Sequence, residues 1–303
     1  GSVTVASGGT LVLAWTALRG TLTNYGTVVW KDGSIIGSRW GNDQPSAIVN
    51  QVGGVFEVQV DGASMGSDFY ADALSFTNAG TLRRTTSAGT AYIGCAFTNT
   101  GTVAVQTGTL YFNAAVNNAG PVTVSAAAQA QFGGSTSLQA GTVFSGAGTV
   151  RLNGSVTVGP GVRLSGAGTV NVSGSVSGTI TGTGLVSDSL SGTCTIAGSV
   201  TLTGSLSGNV TVAAGGTLVI DGNANYSYGH QIQGTLTNSG TVVWKAGTIT
   251  GFKDGGSVAS AIINQAGAVF EVQGDTSMQG YQSDGLNFTN AGTLRRTTSA
   301  GTV

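Results

Sequence analysis

Variants of one short string, FTNAGTL at residues 76–82, return along the chain at a spacing near twenty. They read LTNYGTV at 22–28, IVNQVGGV at 48–55, FTNTGTV at 97–103 and VNNAGPV at 116–122. The asparagines are Asn24, Asn50, Asn78, Asn99 and Asn118, at spacings of 26, 28, 21 and 19. Farther on, Gly takes the Asn place in FSGAGTV at 144–150 and LSGAGTV at 164–170, and LTNSGTV at 236–242 restores it. A recurrence of this length, each unit too short to bury a core by itself, is the mark of a solenoid. Helical repeats do not suit the pattern, because β-branched residues alternate with small ones and no 3.6-residue spacing appears. GTVAVQTGTLYF at 101–112 reads as two strands broken at Gly108, and GSVTVGPGVRLSGAGTVNVSG at 154–174 as three strands in one lap.

The expected fold is therefore all-β, a single-stranded parallel β-helix (β-solenoid) with about three short strands per lap of ~20 residues. Right-handed winding is expected from the handedness of parallel crossovers. Laps stacked about 4.8 Å apart would number roughly 14 in a rod on the order of 65 Å long. Apolar side chains should line inward columns, and Gly and Asn should take the corners, where positive φ is cheap for them. An Asn at one corner of successive laps can bond to the Asn above and below. Asn24, Asn50, Asn78, Asn99 and Asn118 are thus expected to form an internal ladder. The spacings of 26 and 28 imply loops bulging from the laps between Trp30 and Phe76.

A longer period lies over the short one. The string FTNAGTLRRTTSAGT occurs twice, at 76–90 and 288–302. GTLTNYGTVVWK at 20–31 returns almost unchanged at 234–245, VFEVQ at 55–59 returns at 269–273, and the match begins at 1–13 against 208–220. The copies run 1–207 and 208–303 within one continuous solenoid 1–303, the second with seven extra residues between Ile220 and Gly234. Neither 1–13 nor 292–303 reads as a polar cap, so the expected context is a longer array or end-to-end stacking of subunits.

Composition narrows the class. Glycine numbers 52 of 303 residues, proline 3, and 8% of residues are charged, while 40% are hydrophobic, which argues against disorder and collagen. The net charge of −1 offers nothing to neutralise a phosphate backbone, so no nucleic-acid partner is expected. No apolar run approaches 18 residues, so no membrane insertion is expected. Scarce Lys and a Thr/Ser/Asn surface suit an extracellular or cell-surface location. Cys95 and Cys194 fit no ligand spacing and should be buried free thiols.

The repeat style GTLTNxGTVxW and FTNxGTVxV resembles the large bacterial extracellular β-solenoid proteins, the passenger regions of autotransporters and the filamentous-haemagglutinin-like adhesins. The resemblance covers most of the chain and implies a secreted or surface-attached stalk, adhesin or fibre. It transfers no functional residue.

Chemistry-bearing residues are few. A Ser-His-Asp arrangement would have to use His230, the one histidine, which reads as a surface-loop residue. Glu57, Asp61 and Asp72 recur as Glu271, Asp275 and Asp284. They are candidates for a glycosidase pair, a calcium site, or local ion pairs with Arg83 and Arg84. Calcium is the single cofactor worth weighing, and no GGxGxD repeat supports it. Arg83 and Arg84, repeated as Arg295 and Arg296, are candidate glycan or anion contacts. Trp30 and its counterpart Trp244 alternate with core positions, while Trp15 and Trp40 lack counterparts and read as exposed. Sporadic Thr-x-Thr pairs do not form the continuous face an ice-binding solenoid needs. The sequence favours a structural fibre, stalk or adhesin that is not an enzyme, with itself and surface glycans as partners. The alternative is a glycan-binding or polysaccharide-cleaving β-helix.

Overall fold

The computed structural model describes residues 1–38, 45–67, 74–164, 168–222, 229–252, 260–281 and 285–298. Among the described residues every regular element is a β-strand, and the strand pairs are parallel. The chain forms two compact units, one of Gly1–Ser155 with Gly166–Thr169, the other of Val156–Ser165 with Val170–Val303.

The first unit is a parallel β-solenoid with three strands per lap. One column contains Val3–Val5, Thr21–Asn24, Ser46–Asn50, Leu74–Asn78, Ala96–Asn99, Val116–Asn118 and Thr136–Leu138. A second column of 7 strands runs from Thr10–Leu13 through Thr27–Trp30, Val55–Val58 and Thr81–Arg84 to Val143–Ser145. The third runs from Thr16–Leu18 through Ser64–Ser67, Thr90–Ile93 and Thr109–Phe112 to Thr149–Leu152.

Alternation within each strand decides what fills the interior. In Thr27–Trp30, Val28 and Trp30 are buried and their neighbours half-buried, and Thr109–Phe112 repeats this with Leu110 and Phe112. Stacking then sets like residues over one another. A spine of aromatic contacts climbs through Phe56, Phe76, Phe97, Phe112 and Phe132, with centroids 4.8 to 5.2 Å apart. Each fully buried ring contributes on the order of 1.5–3 kcal/mol. That gain exists only where a neighbouring lap covers it.

The glycine of the Asn-x-Gly motif has a steric cause. A Cβ on Gly80 would lie 2.2 Å from the Gly54 carbonyl oxygen, and one on Gly101 would lie 2.1 Å from that of Gly80. The laps approach so closely at this corner that no other residue fits.

The second unit departs from the twenty-residue rhythm. Strands Leu185–Ile196 and Ser199–Val212 are long and turn the corner without a loop. Their register couples Leu185 to Val200, then, after a shift between Ser187 and Ser189, Leu190 to Leu206 and Cys194 to Val210, so the lap there takes 15 to 16 residues. Gly192, Gly208 and Gly234 stack at the bend with φ of 91°, 105° and 135°. A Cβ on Gly208 would lie 2.3 Å from the Gly192 carbonyl oxygen. Beyond this bend the longer laps return, with Thr241–Trp244, Val269–Val272 and Thr293–Arg296 in one column.

Candidate functional site: an asparagine ladder and a carboxylate clamp

The polar residues singled out by the repeat gather in two places. The first is the inner corner. Each ladder asparagine ends its strand on an inward position, and all five are buried. Asn24 Nδ2 donates to Asn50 Oδ1, Asn50 to Asn78, Asn78 to Asn99 and Asn99 to Asn118, each at 2.7 Å. Three of these amide nitrogens also reach a main-chain oxygen of the following lap, Asn24 that of Val55 at 3.0 Å and Asn50 and Asn78 those of Thr81 and Thr102 at 3.2 Å, whereas Asn99 reaches Gly101 O of its own lap at 3.1 Å. Buried amides are costly unless bonded, and here successive laps bond them. Thr142, unsignalled by the repeat, ends the row: its Oγ1 accepts from Asn118 Nδ2 at 3.0 Å and donates to Asn118 O at 2.7 Å. In the second unit Asn238 donates to Asn264, and Asn264 to Asn290, again at 2.7 Å.

The second place is the outer face of the middle column. In Val55–Val58 the side chains of Phe56 and Val58 point inward, which turns Glu57 outward. Register sets Arg83 of the next lap beside it. Arg83 Nε and Nη2 donate to Glu57 Oε2 at 2.9 and 2.5 Å. Gln59 Nε2 and Thr85 Oγ1 donate to Glu57 Oε1 at 2.6 and 2.8 Å. The second unit repeats the cluster: Gln273 and Thr297 donate to Glu271 Oε1 at 2.6 and 2.9 Å, and Arg295 grips Oε2.

Burial acts to raise the Glu57 carboxyl, but the bonds from Gln59, Thr85 and Arg83 together hold it below its usual range. Glu271 is brought down to about 2, first by Gln273, then by Arg295 and Thr297, against a smaller effect of burial. A general acid needs a proton near neutral pH, and these groups hold theirs too weakly. Gln59 and Thr85 were legible only through position. Both lie two residues beyond a clamp partner, on the same outward face of an alternating strand.

Arg84 goes the other way. It stands in the inward row between Val58 and Val105 and is fully buried. Its Nη1 donates to Val60 O at 2.7 Å, and its Nη2 donates to Gly89 O at 3.1 Å and to Asp61. Asp61 also accepts from Ser87 Oγ and from Gly89 N at 3.2 Å. As a glycan or anion contact Arg84 is therefore corrected: its guanidinium is enclosed by its own laps. Arg83 and Arg295 remain partly exposed but each is bonded to a glutamate, and Arg296 is paired with Asp275.

His230 also needs correcting. It begins the strand His230–Asn238 and is buried, with Nδ1 2.9 Å from Gly204 O and Nε2 3.0 and 3.1 Å from Gly222 O and Ala246 O. Room for the ring comes from Gly247, where a Cβ would stand 2.7 Å from Nε2. The imidazole joins three successive turns of chain.

Trp30 and Trp244 are core residues whose indole nitrogens donate to Gly33 O and Gly247 O at 2.7 and 2.8 Å. Trp15 is exposed. Trp40, Asp72 and Asp284 lie outside the described residues. Among the described residues no three of His, Cys, Asp and Glu converge as a metal site would require. Cys95 and Cys194 are buried free thiols, pushed up by burial to about 12 and about 11. The chain matches no protein-family model, no curated protein and no solved structure.

Proposed function

We propose that the chain is a structural module of an extracellular or cell-surface fibre, stalk or adhesin, assembled from stacked β-solenoid units, and that it is not an enzyme. The observation that carries this reading is the use made of the carboxylates. Glu57 and Glu271 each accept four side-chain hydrogen bonds, three of them from the following lap. Asp61 and Asp275 pair with the arginines of the lap that follows theirs. Polar groups spent on joining laps serve a mechanical part. The Thr/Ser/Asn-rich surface and the scarcity of lysine support display outside a cell.

Electron microscopy of the native source tests the reading, with filaments or surface stalks as the expected result. A soluble monomer that depolymerises a polysaccharide, and loses that activity as Glu57→Gln, would overturn it.

A glycan-binding reading keeps one specific support. On the outer face of the third column Tyr92, Tyr111, Gln131 and Arg151 stand in register, the two rings 5.7 Å apart. Aromatic edges beside amide and guanidinium donors are groups that sugars use. Binding of an acidic polysaccharide that is lost on Tyr111→Ala and Arg151→Ala would favour it.

A further inference from the structure

The chain has 12 carboxylates, and none lies between Asp72 and Asp188. Residues 85–187 hold two charged side chains, Arg151 and Arg163. Arg83, Arg84, Arg295 and Arg296 each lie against a carboxylate. Arg151 does not. It is exposed, its register neighbour one lap back is the neutral Gln131, and among the described residues nothing accepts from its guanidinium. A cation without a counter-charge over so long a stretch sets a positive field on that face.

Arg151 follows Tyr92, Tyr111 and Gln131 in one outward row of the third column. A glycine shapes this row. A Cβ on Gly133 would lie 2.3 Å from the Tyr111 hydroxyl oxygen and 2.6 Å from Cε2. The Tyr111 ring therefore reclines over the next lap instead of standing out from the sheet. Both tyrosines are half-buried, their centroids are 5.7 Å apart, and among the described residues neither hydroxyl is hydrogen-bonded. Gln129 Nε2 donates to Gln131 Oε1 at 3.0 Å, which fixes the Gln131 amide and leaves its Nε2 a donor without an acceptor among the described residues. The row thus offers two rings, an amide donor and a cation, one to a lap.

We propose that this row binds a linear uronic-acid polysaccharide laid along the solenoid axis, with sugar rings on Tyr92 and Tyr111 and a carboxylate on Arg151. Aromatic faces take the C–H face of a pyranose, and a guanidinium fork takes a carboxylate through two parallel bonds. Three lap steps put about 14 Å between the ends of the row. A pyranose unit advances its chain by close to one lap spacing, so successive sugars meet successive laps. The proposal rests on the glycan-contact reading above and gives it a ligand class, a direction and a charge requirement. A site on the side of a rod leaves stacking along the rod undisturbed.

Titration calorimetry of the purified chain tests it, with tetragalacturonate, a hyaluronan hexasaccharide and the neutral cellotetraose as probes. A uronate is expected to bind, and cellotetraose to bind about tenfold or more weaker. Arg151→Ala changes an exposed side chain and should weaken uronate binding by about tenfold or more, while Arg151→Lys, which keeps the charge without the fork, recovers part of that loss. Gly133→Ala removes no contacting group but displaces the Tyr111 ring, for a loss of about threefold. Arg163→Ala removes the other charge of this stretch, in the second unit, and should leave the affinity within about twofold of the parent. Equal losses on Arg151→Ala and Arg163→Ala would mean diffuse attraction and overturn the proposal. Cellotetraose held as tightly as the uronates, and released by Tyr111→Ala, overturns it while the glycan-contact reading stands. Binding of none of the three probes overturns both.

Discussion

Residues 76–84 and 288–296 have the same sequence, FTNAGTLRR, and opposite surroundings. In the first, Leu82 is 0% exposed, and Asn78 and Arg84 are equally closed off. In the second, Leu294 is 52% exposed, and the Arg296 side chain is 28% exposed where that of Arg84 is at 0%. Both strings form the same two strands and receive the same preceding lap, through Phe56 and Glu57 in one case and Phe270 and Glu271 in the other. What differs is the lap that follows. Strand formation and register are thus settled from one side, while burial requires both. In a stack of this kind stability belongs to interfaces between laps more than to laps.

The comparison can be broken hardest at the arginine. Arg84→Ala removes the partner of Asp61 and strands the oxygens of Val60 and Gly89 beside a cavity. We expect a loss of about 3 kcal/mol, the lower end for breaking a buried pair, because Asp61 retains contact with water. Arg296→Ala, with a half-open side chain and an exposed carboxylate partner, should cost under about 1 kcal/mol. Urea unfolding followed by tryptophan fluorescence measures both, and equal losses would contradict the argument.

The asparagines come next. Asn78→Ala interrupts the ladder between Asn50 and Asn99 and leaves one buried donor and one buried acceptor unmatched, at a cost of about 2–3 kcal/mol. Asn290→Ala disturbs one bond at an exposed rung and should cost about 0.5 kcal/mol. Measured by the same unfolding curves, a mild Asn78→Ala would mean that water or relaxed neighbours replace the rung.

Much of this was legible in the sequence, and the reason is stacking. A residue that must meet its own kind at 4.7–4.9 Å intervals leaves a periodic trace. The five asparagines and the column of glycines that follows them, two residues on in every case but Asn50, are such a trace, and so is the duplicated Glu57–Arg83 pair. Two features left none. The segment Leu185–Val212 gives up the Asn-x-Gly corner, so its lap of 15 to 16 residues shows only when Gly192, Gly208 and Gly234 are seen stacked. His230 fills a place made by Gly247 and by main-chain oxygens of three turns, and oxygens carry no sequence signal. Arg84 was visible as a residue but not as a core residue. A charged side chain in an inward row breaks the alternation rule and is tolerated because Val60, Asp61 and Gly89 meet it.

The glutamate clamps, unlike the arginines and asparagines, should respond alike in both copies. Glu57 and Glu271 are held below the ordinary glutamate range by the same four donors, Glu271 to about 2. A carboxyl whose folded value is depressed adds stability above its unfolded value, about 4.3, and loses it as pH falls toward the folded one. Both clamps should therefore contribute fully at neutral pH and weaken as the pH falls below the unfolded value, the Glu271 clamp between about pH 4 and pH 2. Glu57→Gln keeps an acceptor but removes the charge that Arg83 pairs with, for a loss of about 1 kcal/mol at pH 7. In the double variant Glu57→Gln/Glu271→Gln the melting temperature should fall less steeply across that acid range than in the parent, with the two curves converging near pH 2. Parallel curves would show that the clamps are ionised in the unfolded chain to the same extent as in the folded one. They would then join laps through geometry alone, without a charge-dependent share.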